Sequence, residues 1–184
     1  MNQSTIELAG ICKLLGRLWL HELDVETMTA MRADSFRLPY EDLGGSVPNV
    51  VSDSVVESLA VEYCELLIGP KGHLSPIQSV WVESQLQSEM SSSMHRFFEL
   101  LPDFEFGGDF PDHLGVQLEF AGALLSQTDP AVSEILVLFV PKHLNWASRM
   151  LDGVAGRAGS GFYQGLAVVT AALIRSLGES AATS

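Results

Sequence analysis

Basic residues are scarce in this chain: ten Lys and Arg stand against 23 Asp and Glu in 184 residues, a formal charge of −13. A surface of that sign repels phosphate backbones and anionic lipid headgroups, so nucleic acid is not an expected partner. A basic peptide or basic protein segment would instead be drawn in. Cysteine is scarcer still. Cys12 and Cys64 form no C-x-x-C and are too few for a disulfide framework, which leaves two buried free thiols and a reducing cytoplasm as the expectation. No stretch reaches ~18 uninterrupted apolar residues, so no membrane span is expected. The N-terminal segment carries Glu7 inside its apolar run and lacks a basic start and a small-residue cleavage site, so it is not read as a secretory signal. No run alternates with period two between hairpin signals, which removes support for a sheet, and no internal repeat is found.

What remains is a globular composition, 47% hydrophobic and 18% charged. A chain of this length can bury roughly 70% of its unfolded surface. Apolar residues at Ile6, Leu8, Ile11, Leu14, Leu15, Leu18 and Trp19 follow the i, i+3, i+4, i+7 spacing of an amphipathic helix over 4–22, with Ser4 and Glu7 as a capping box. A second helix is expected over 24–35 from Asp24, then a loop at 37–49 with two prolines and Gly44-Gly45. Asp53 or Ser54 can cap a third helix that stops at Gly69-Pro70. A helical stretch over 77–101 runs into the Gly-rich hinge "FEFGGDF" at 104–110. Further helices are expected near 110–126, 130–140, 142–157 and 160–178, divided by Pro130, Pro141 and Gly159-Ser160-Gly161. The expectation is an all-α, single-domain bundle of about eight helices over 1–178, with a disordered small-residue tail at 179–184.

Catalytic motifs are missing in turn. There is no G-x-S-x-G, and "GSGF" at 159–162 reads as a turn between helices. "GPKGHLSP" and "GRAGSG" match neither phosphate-cradling pattern. His73 and His143 have no acidic or histidine partner at i+3 or i+4, and His21 and His95 have one acidic residue each at that spacing, Asp24 and Glu99, short of a ligand set, so no metal site is expected. The pair Asp112-His113 in "GDFPDHLGVQLEF" stays open between three readings. Asp112 could orient His113 as a general base in a small helical hydrolase or lyase. Asp109, Pro111 and Asp112 could equally open a helix, as cap, first-turn proline and dipole partner. The pair could also mark the polar edge of a binding surface, in a chaperone or a generic helical adaptor.

Two stretches, taken together, resemble a known family. "YCELLIGPKGHLSPIQSVW", residues 63–81, is similar to the aromatic-x-x-L-F-x-G-P…P…S-V-Y/W segment of the TorD/DmsD/NarJ-like redox enzyme maturation chaperones. "FPDHLGVQLEF" resembles their second hallmark, E-P-x-D-H-x-x-x-E-L, and "HLNWASRMLDGVAGRAGSGFYQGLAVV" their late H-L…W…F-Y segment. The resemblance implies an all-helical cytoplasmic chaperone, not an enzyme, that binds a molybdoenzyme precursor, often by its twin-arginine leader, until the cofactor is loaded. It maps the leader-binding surface onto Tyr63, Leu66, Lys71, Trp81, Asp112 and His113, with no cofactor of its own beyond a guanine nucleotide reported for some relatives. It implies a monomer that can exchange segments at a hinge, for which "FEFGGDF" is the place. Gln117 stands where the hallmark has glutamate, and is expected to make this chain's contact differ.

Overall fold

The computed structural model describes residues 3–86 and 88–182. Among the described residues it is all-helical, with ten α-helices and one π-helical turn where about eight helices were expected. The chain divides into two compact units. One comprises residues 1–20, 76–147 and 173–184; the other comprises 21–75 and 148–172.

In the first unit, α1 (Gln3–Leu20) packs against α7 (Leu114–Leu125). The contact is made by small residues rather than by the leucine stripe alone. A Cβ placed on Gly115 would lie 2.6 Å from the Gly16 carbonyl oxygen, and one on Gly16 would lie 2.7 Å from that of Gly115. Two turns along, Gly122 sits on Ala9, Cys12 and Lys13. Ala9, Cys12, Leu15, Leu18 and Trp19 are therefore buried, whereas Ile6, counted in the apolar stripe, is exposed. Burial pushes the Cys12 thiol up to about 12, so it is inert at neutral pH. α1 begins at Gln3, which places Ser4 inside its first turn instead of at the cap.

The same unit holds α5 (Gln78–Val82), α6 (Glu89–Phe98) and α8 (Pro130–His143). The stretch expected as one helix over 77–101 is broken between α5 and α6, where Ser84 takes a left-handed φ of 56° and Ser88 caps α6. In the opposite direction, α8 continues through Pro141, which was expected to divide two helices. Its last turn is held from outside: the Lys142 carbonyl accepts a hydrogen bond from Gln78 Nε2 at 2.8 Å. A ladder of rings, Phe98, Phe104, Phe120, Phe139 and Phe97, runs between α6, α7 and α8 at centroid separations of 5.0–5.3 Å. These spacings suit offset and edge-on aromatic pairs.

In the second unit, α2 (Val25–Met31) starts after Asp24, whose carboxylate accepts from the Thr27 N–H at 2.6 Å. α3 (Asp34–Asp42) occupies part of the expected loop at 37–49 and runs through position 39 despite its proline. Arg37 bridges Asp34 and Asp42's neighbour Glu41 at 2.8 and 2.7 Å, one helical turn to either side. α4 (Asp53–Tyr63) is capped by Ser52, not by Asp53 or Ser54. α9 (Ala147–Arg157) follows, and α10 (Gly161–Ala182) contributes its first half to this unit. Its C-terminal half extends helix through Ala182, into the tail expected to be disordered; positions 183 and 184 lie outside the described residues. Gly44 has a φ of +94°, which only glycine adopts without strain, and the adjoining Gly45 backbone comes so close to α10 that a Cβ on Gly165 would lie 2.6 Å away. No helix among the described residues is long and apolar enough to cross a membrane.

Candidate functional site

The hallmark segments fall in both units. Tyr63, Leu66 and Lys71 lie in the second; Trp81, Asp112, His113 and Gln117 lie in the first.

In the first unit, residues 76–78 and 112–114 form a short antiparallel clasp. Gln78 N–H donates to the Asp112 carbonyl at 3.0 Å and Leu114 N–H to the Pro76 carbonyl at 2.7 Å. The clasp turns the Asp112 side chain inward. Its carboxylate has no solvent exposure and accepts from the Ser79 N–H at 2.8 Å and the Ser91 hydroxyl at 2.7 Å. The expectation that Asp112 presents a charge on a surface is thereby corrected: it ties α5, α6 and the start of α7 together. His113, partly exposed, is the N-cap of α7 in place of Asp109, its Nδ1 accepting from the Gly115 N–H at 3.0 Å. A catalytic pair would need Asp112 to receive an imidazole N–H, and both partners' geometry serves helix ends instead.

Gln117, expected as an altered surface contact, is also fully buried. It belongs to a chain of hydrogen bonds whose direction can be read from one end. Trp146 Nε1 can only donate, and does so to Gln117 Oε1 at 2.9 Å. Gln117 Nε2 therefore faces Gln78 and donates to Gln78 Oε1 at 2.7 Å. With its Nε2 committed to the Lys142 carbonyl, Gln78 offers the same Oε1 to His143 Nδ1 at 2.9 Å, so Nδ1 carries the proton. Nε2 of a neutral His143 then accepts from the Ser93 hydroxyl at 2.9 Å. The ring stacks on Phe139 and meets Phe97 edge-on, with no solvent exposure.

Burial, with Lys142 and Arg96 nearby, lowers the His143 pKa from 6.5 to about 4, against a smaller opposing pull from Asp112. The unfolded chain therefore binds more protons than the folded chain between those values. Stability from this group is whole above pH 6.5 and is lost as pH falls towards 4. The expected loss is about 2 kcal/mol by pH 5. It is measured as the shift in urea unfolding between pH 7 and pH 5 in the native chain, after subtraction of the same shift in His143→Asn.

Gln78, Ser79, Ser91, Ser93, His143 and Trp146 were not among the expected site residues. The signal available was weak: three adjacent serines in an apolar helix, and a histidine with no partner at helical spacing.

In the second unit the stretch "YCELLIGP" forms the end of α4 and a π-helical turn, Cys64–Ile68, closed by the Gly69 N–H to the Cys64 carbonyl at 2.7 Å. Tyr63 is buried, with its ring 6.3 Å from that of Tyr163, and Leu66 and Leu67 are buried beside it. Glu65 and Ile68 are left outward. Cys64 is half-buried, unlike Cys12, and its thiol lies 3.2 Å from the Glu22 carboxylate, which raises its pKa. Lys71 is exposed in the following loop. A groove of about 590 Å³ opens along α4 and the turn, walled by Val61, Glu62, Glu65 and Leu66 on one side and by Arg157 and Ser160 on the other. Glu62 accepts from the Gly159 and Ser160 N–H groups at 2.7 and 2.9 Å, at the positive end of α10. Arg157 is tied to the Gly72 carbonyl at 2.6 Å. Val61 is 59% exposed on the groove wall. Among the described residues no group of three or more His, Cys, Asp or Glu is placed to hold a metal.

The sequence profile of the nitrate reductase delta subunit family matches residues 33–152. The chain belongs to that family of redox enzyme maturation chaperones. The match covers the π turn, the clasp and the polar chain as far as Trp146. A crystal structure of a protein assigned as a redox enzyme maturation protein from Archaeoglobus fulgidus has a similar fold, with a TM-score of 0.53 at 15% identity over 97% of this chain and 94% of that one. A search of curated proteins finds no match. Within the family's matched stretch, Asp112 and Gln117 of the first unit are buried in a polar junction and Trp81 is half-buried, while of the second unit's hallmark residues Leu66 borders an open groove.

Proposed function

We propose that this chain is a cytoplasmic chaperone for the catalytic subunit of a molybdenum- or tungsten-cofactor oxidoreductase. It binds the subunit's precursor, through a twin-arginine leader and part of the body, assists cofactor insertion and delays export until the cofactor is loaded. It performs no turnover and uses no cofactor of its own. The stretch at 104–110 is where we place an exchange of segments that yields a minor dimer. The observation that carries the reading is the groove on the family's first hallmark. Val61 and Leu66 supply an apolar wall for a leader's hydrophobic stretch, Glu65 stands exposed at its edge to meet a cation, and the chain's charge of −13 steers a basic segment towards it.

The test is capture of the precursor of a molybdopterin oxidoreductase encoded beside this chain. The folded native chain is expected to retain it, and the double variant V61D/E65K to bind at least about tenfold more weakly, a loss of some 1.4 kcal/mol. Both residues are exposed, so the variant is expected to fold. Absence of capture by the native chain would remove the proposal.

A further inference from the structure

α8 is apolar on both of its faces. Leu136, Phe139, Val140 and His143 turn inward, where the Phe139 ring meets those of Phe97 and Phe120. On the outer side Glu134, Val137, Leu138, Pro141 and Lys142 are exposed, Leu138 to 66%. Their spacing of i, i+3, i+4, i+7 and i+8 makes one continuous stripe along the helix. A surface helix normally turns polar side chains to solvent, so the outward Val137, Leu138 and Pro141 keep apolar area in water until another surface covers them.

The charges at the ends of the stripe identify that surface. Glu134 and Lys142 each lie four residues from Leu138, one on either side. Eight residues of helix hold them about 12 Å apart along the axis, too far to pair with each other. Neither side chain enters an ion pair among the described residues. The helix dipole accounts for the two signs, negative towards the N-terminus and positive at the C-terminus, but not for the apolar residues between them. Glu134, Leu138 and Lys142 form a single ridge of i±4 spacing, and that ridge is its own complement when reversed. Two copies laid antiparallel about a two-fold axis at Leu138 bring leucine against leucine, and Glu134 of each copy against Lys142 of the other. Val137 and Pro141 pack beside them. An unrelated partner would have to supply a positive end, an apolar middle and a negative end at this same spacing, which a second copy of the chain already carries. We infer that the outer face of α8 is a self-association surface, paired two-fold and antiparallel with α8 of a second copy. Five side chains cover much less than the roughly 800 Å² per partner of a stable interface, so the dimer is weak and dissociates on dilution. None of these residues lines the groove at the first hallmark, so the inference stands apart from the client reading.

Sedimentation velocity of the full chain over roughly 10 µM to 1 mM, the range of weak association, is expected to show a monomer–dimer equilibrium that reverses on dilution. L138D is expected to abolish it. E134K sets lysine against lysine and K142E sets glutamate against glutamate, and each is expected to weaken dimerisation at least about tenfold. E134K also reduces the net negative charge of the chain, so weakening there cannot come from overall repulsion between copies. An equimolar mixture of the two single variants, or the double variant E134K/K142E, restores opposite charges at both contacts and is expected to return association to within about threefold of native. A native chain that stays monomeric, a dimer undiminished by L138D, or single variants rescued neither by mixing nor by the double reversal overturns the inference. A dimer that persists on dilution and ignores all three substitutions is the form exchanged at 104–110, which likewise overturns it. Every substituted side chain is exposed, and a melting curve matching that of the native chain certifies folding.

Discussion

Gly115→Val is expected to abolish cooperative folding of the unit built on α1 and α7. A glycine within a helix normally costs about 1 kcal/mol relative to alanine, so a substitution there should help on propensity alone. Here the added Cβ would fall 2.5 Å from Leu20 Cγ and 2.6 Å from the Gly16 carbonyl oxygen. Leu20 can turn aside, but the oxygen belongs to helix backbone, and reciprocal crowding at Gly16 prevents α1 from sliding away locally. Two helices must separate over their length, which exposes Cys12, Leu15 and Trp19. The expected penalty exceeds about 3 kcal/mol, the upper range for overpacking. Gly10 provides the contrast on the same helix, because a Cβ there meets nothing within 4 Å. Gly10→Ala is expected to raise stability by about 0.5–1 kcal/mol. Urea unfolding followed by circular dichroism measures both, and a Gly115→Val chain as stable as the native one would contradict the close packing.

Gln78→Leu is expected to cost on the order of 3–5 kcal/mol, read from the same unfolding curves at pH 7. Leucine is close in shape, so little packing is lost. What is lost is the junction of the polar chain. The Lys142 carbonyl, on an exposed residue, loses its protein donor, while the Gln117 amide and the His143 Nδ1–H lose a shared acceptor, and both of those residues are fully buried. Two unsatisfied buried groups outweigh the single side chain removed. The polarity of the chain also accounts for residue 117. A glutamate there, as in the related hallmark, would direct a carboxylate oxygen at Gln78 Oε1, acceptor against acceptor. Gln78 could relieve that only by turning its oxygen towards the Lys142 carbonyl. Glutamine suits this interior because it supplies one acceptor to Trp146 and one donor to Gln78.

Much of the fold was legible in local pattern. The helices at 3–20, 53–63, 114–125 and 161–182 follow apolar spacing and turn residues, whose effects act within a few positions along the chain. Prolines misled at 39 and 141, because a helix tolerates one where neighbouring groups hold the turn, as Arg37 does for α3 and Gln78 for the end of α8. Caps were displaced by one to four residues at Ser52 and His113, since several adjacent polar side chains are chemically able to cap and the chain path selects among them.

By itself, the sequence determined an acidic all-helical chaperone family member, and it named the segments that matter, because composition, helical period and motif are properties of neighbouring residues. The direction of Asp112 and Gln117 was decided only in the tertiary structure. Each is the acceptor or donor for groups 21 to 39 positions away, and no local spacing reports such partners. For the same reason the outward-facing groups lie elsewhere: Val61 and Glu65 on one unit, Glu134 and Leu138 on the other. Once the hallmark polar residues bond inside, they are withdrawn from the surface, which is left to side chains such as these that no such partner draws inward.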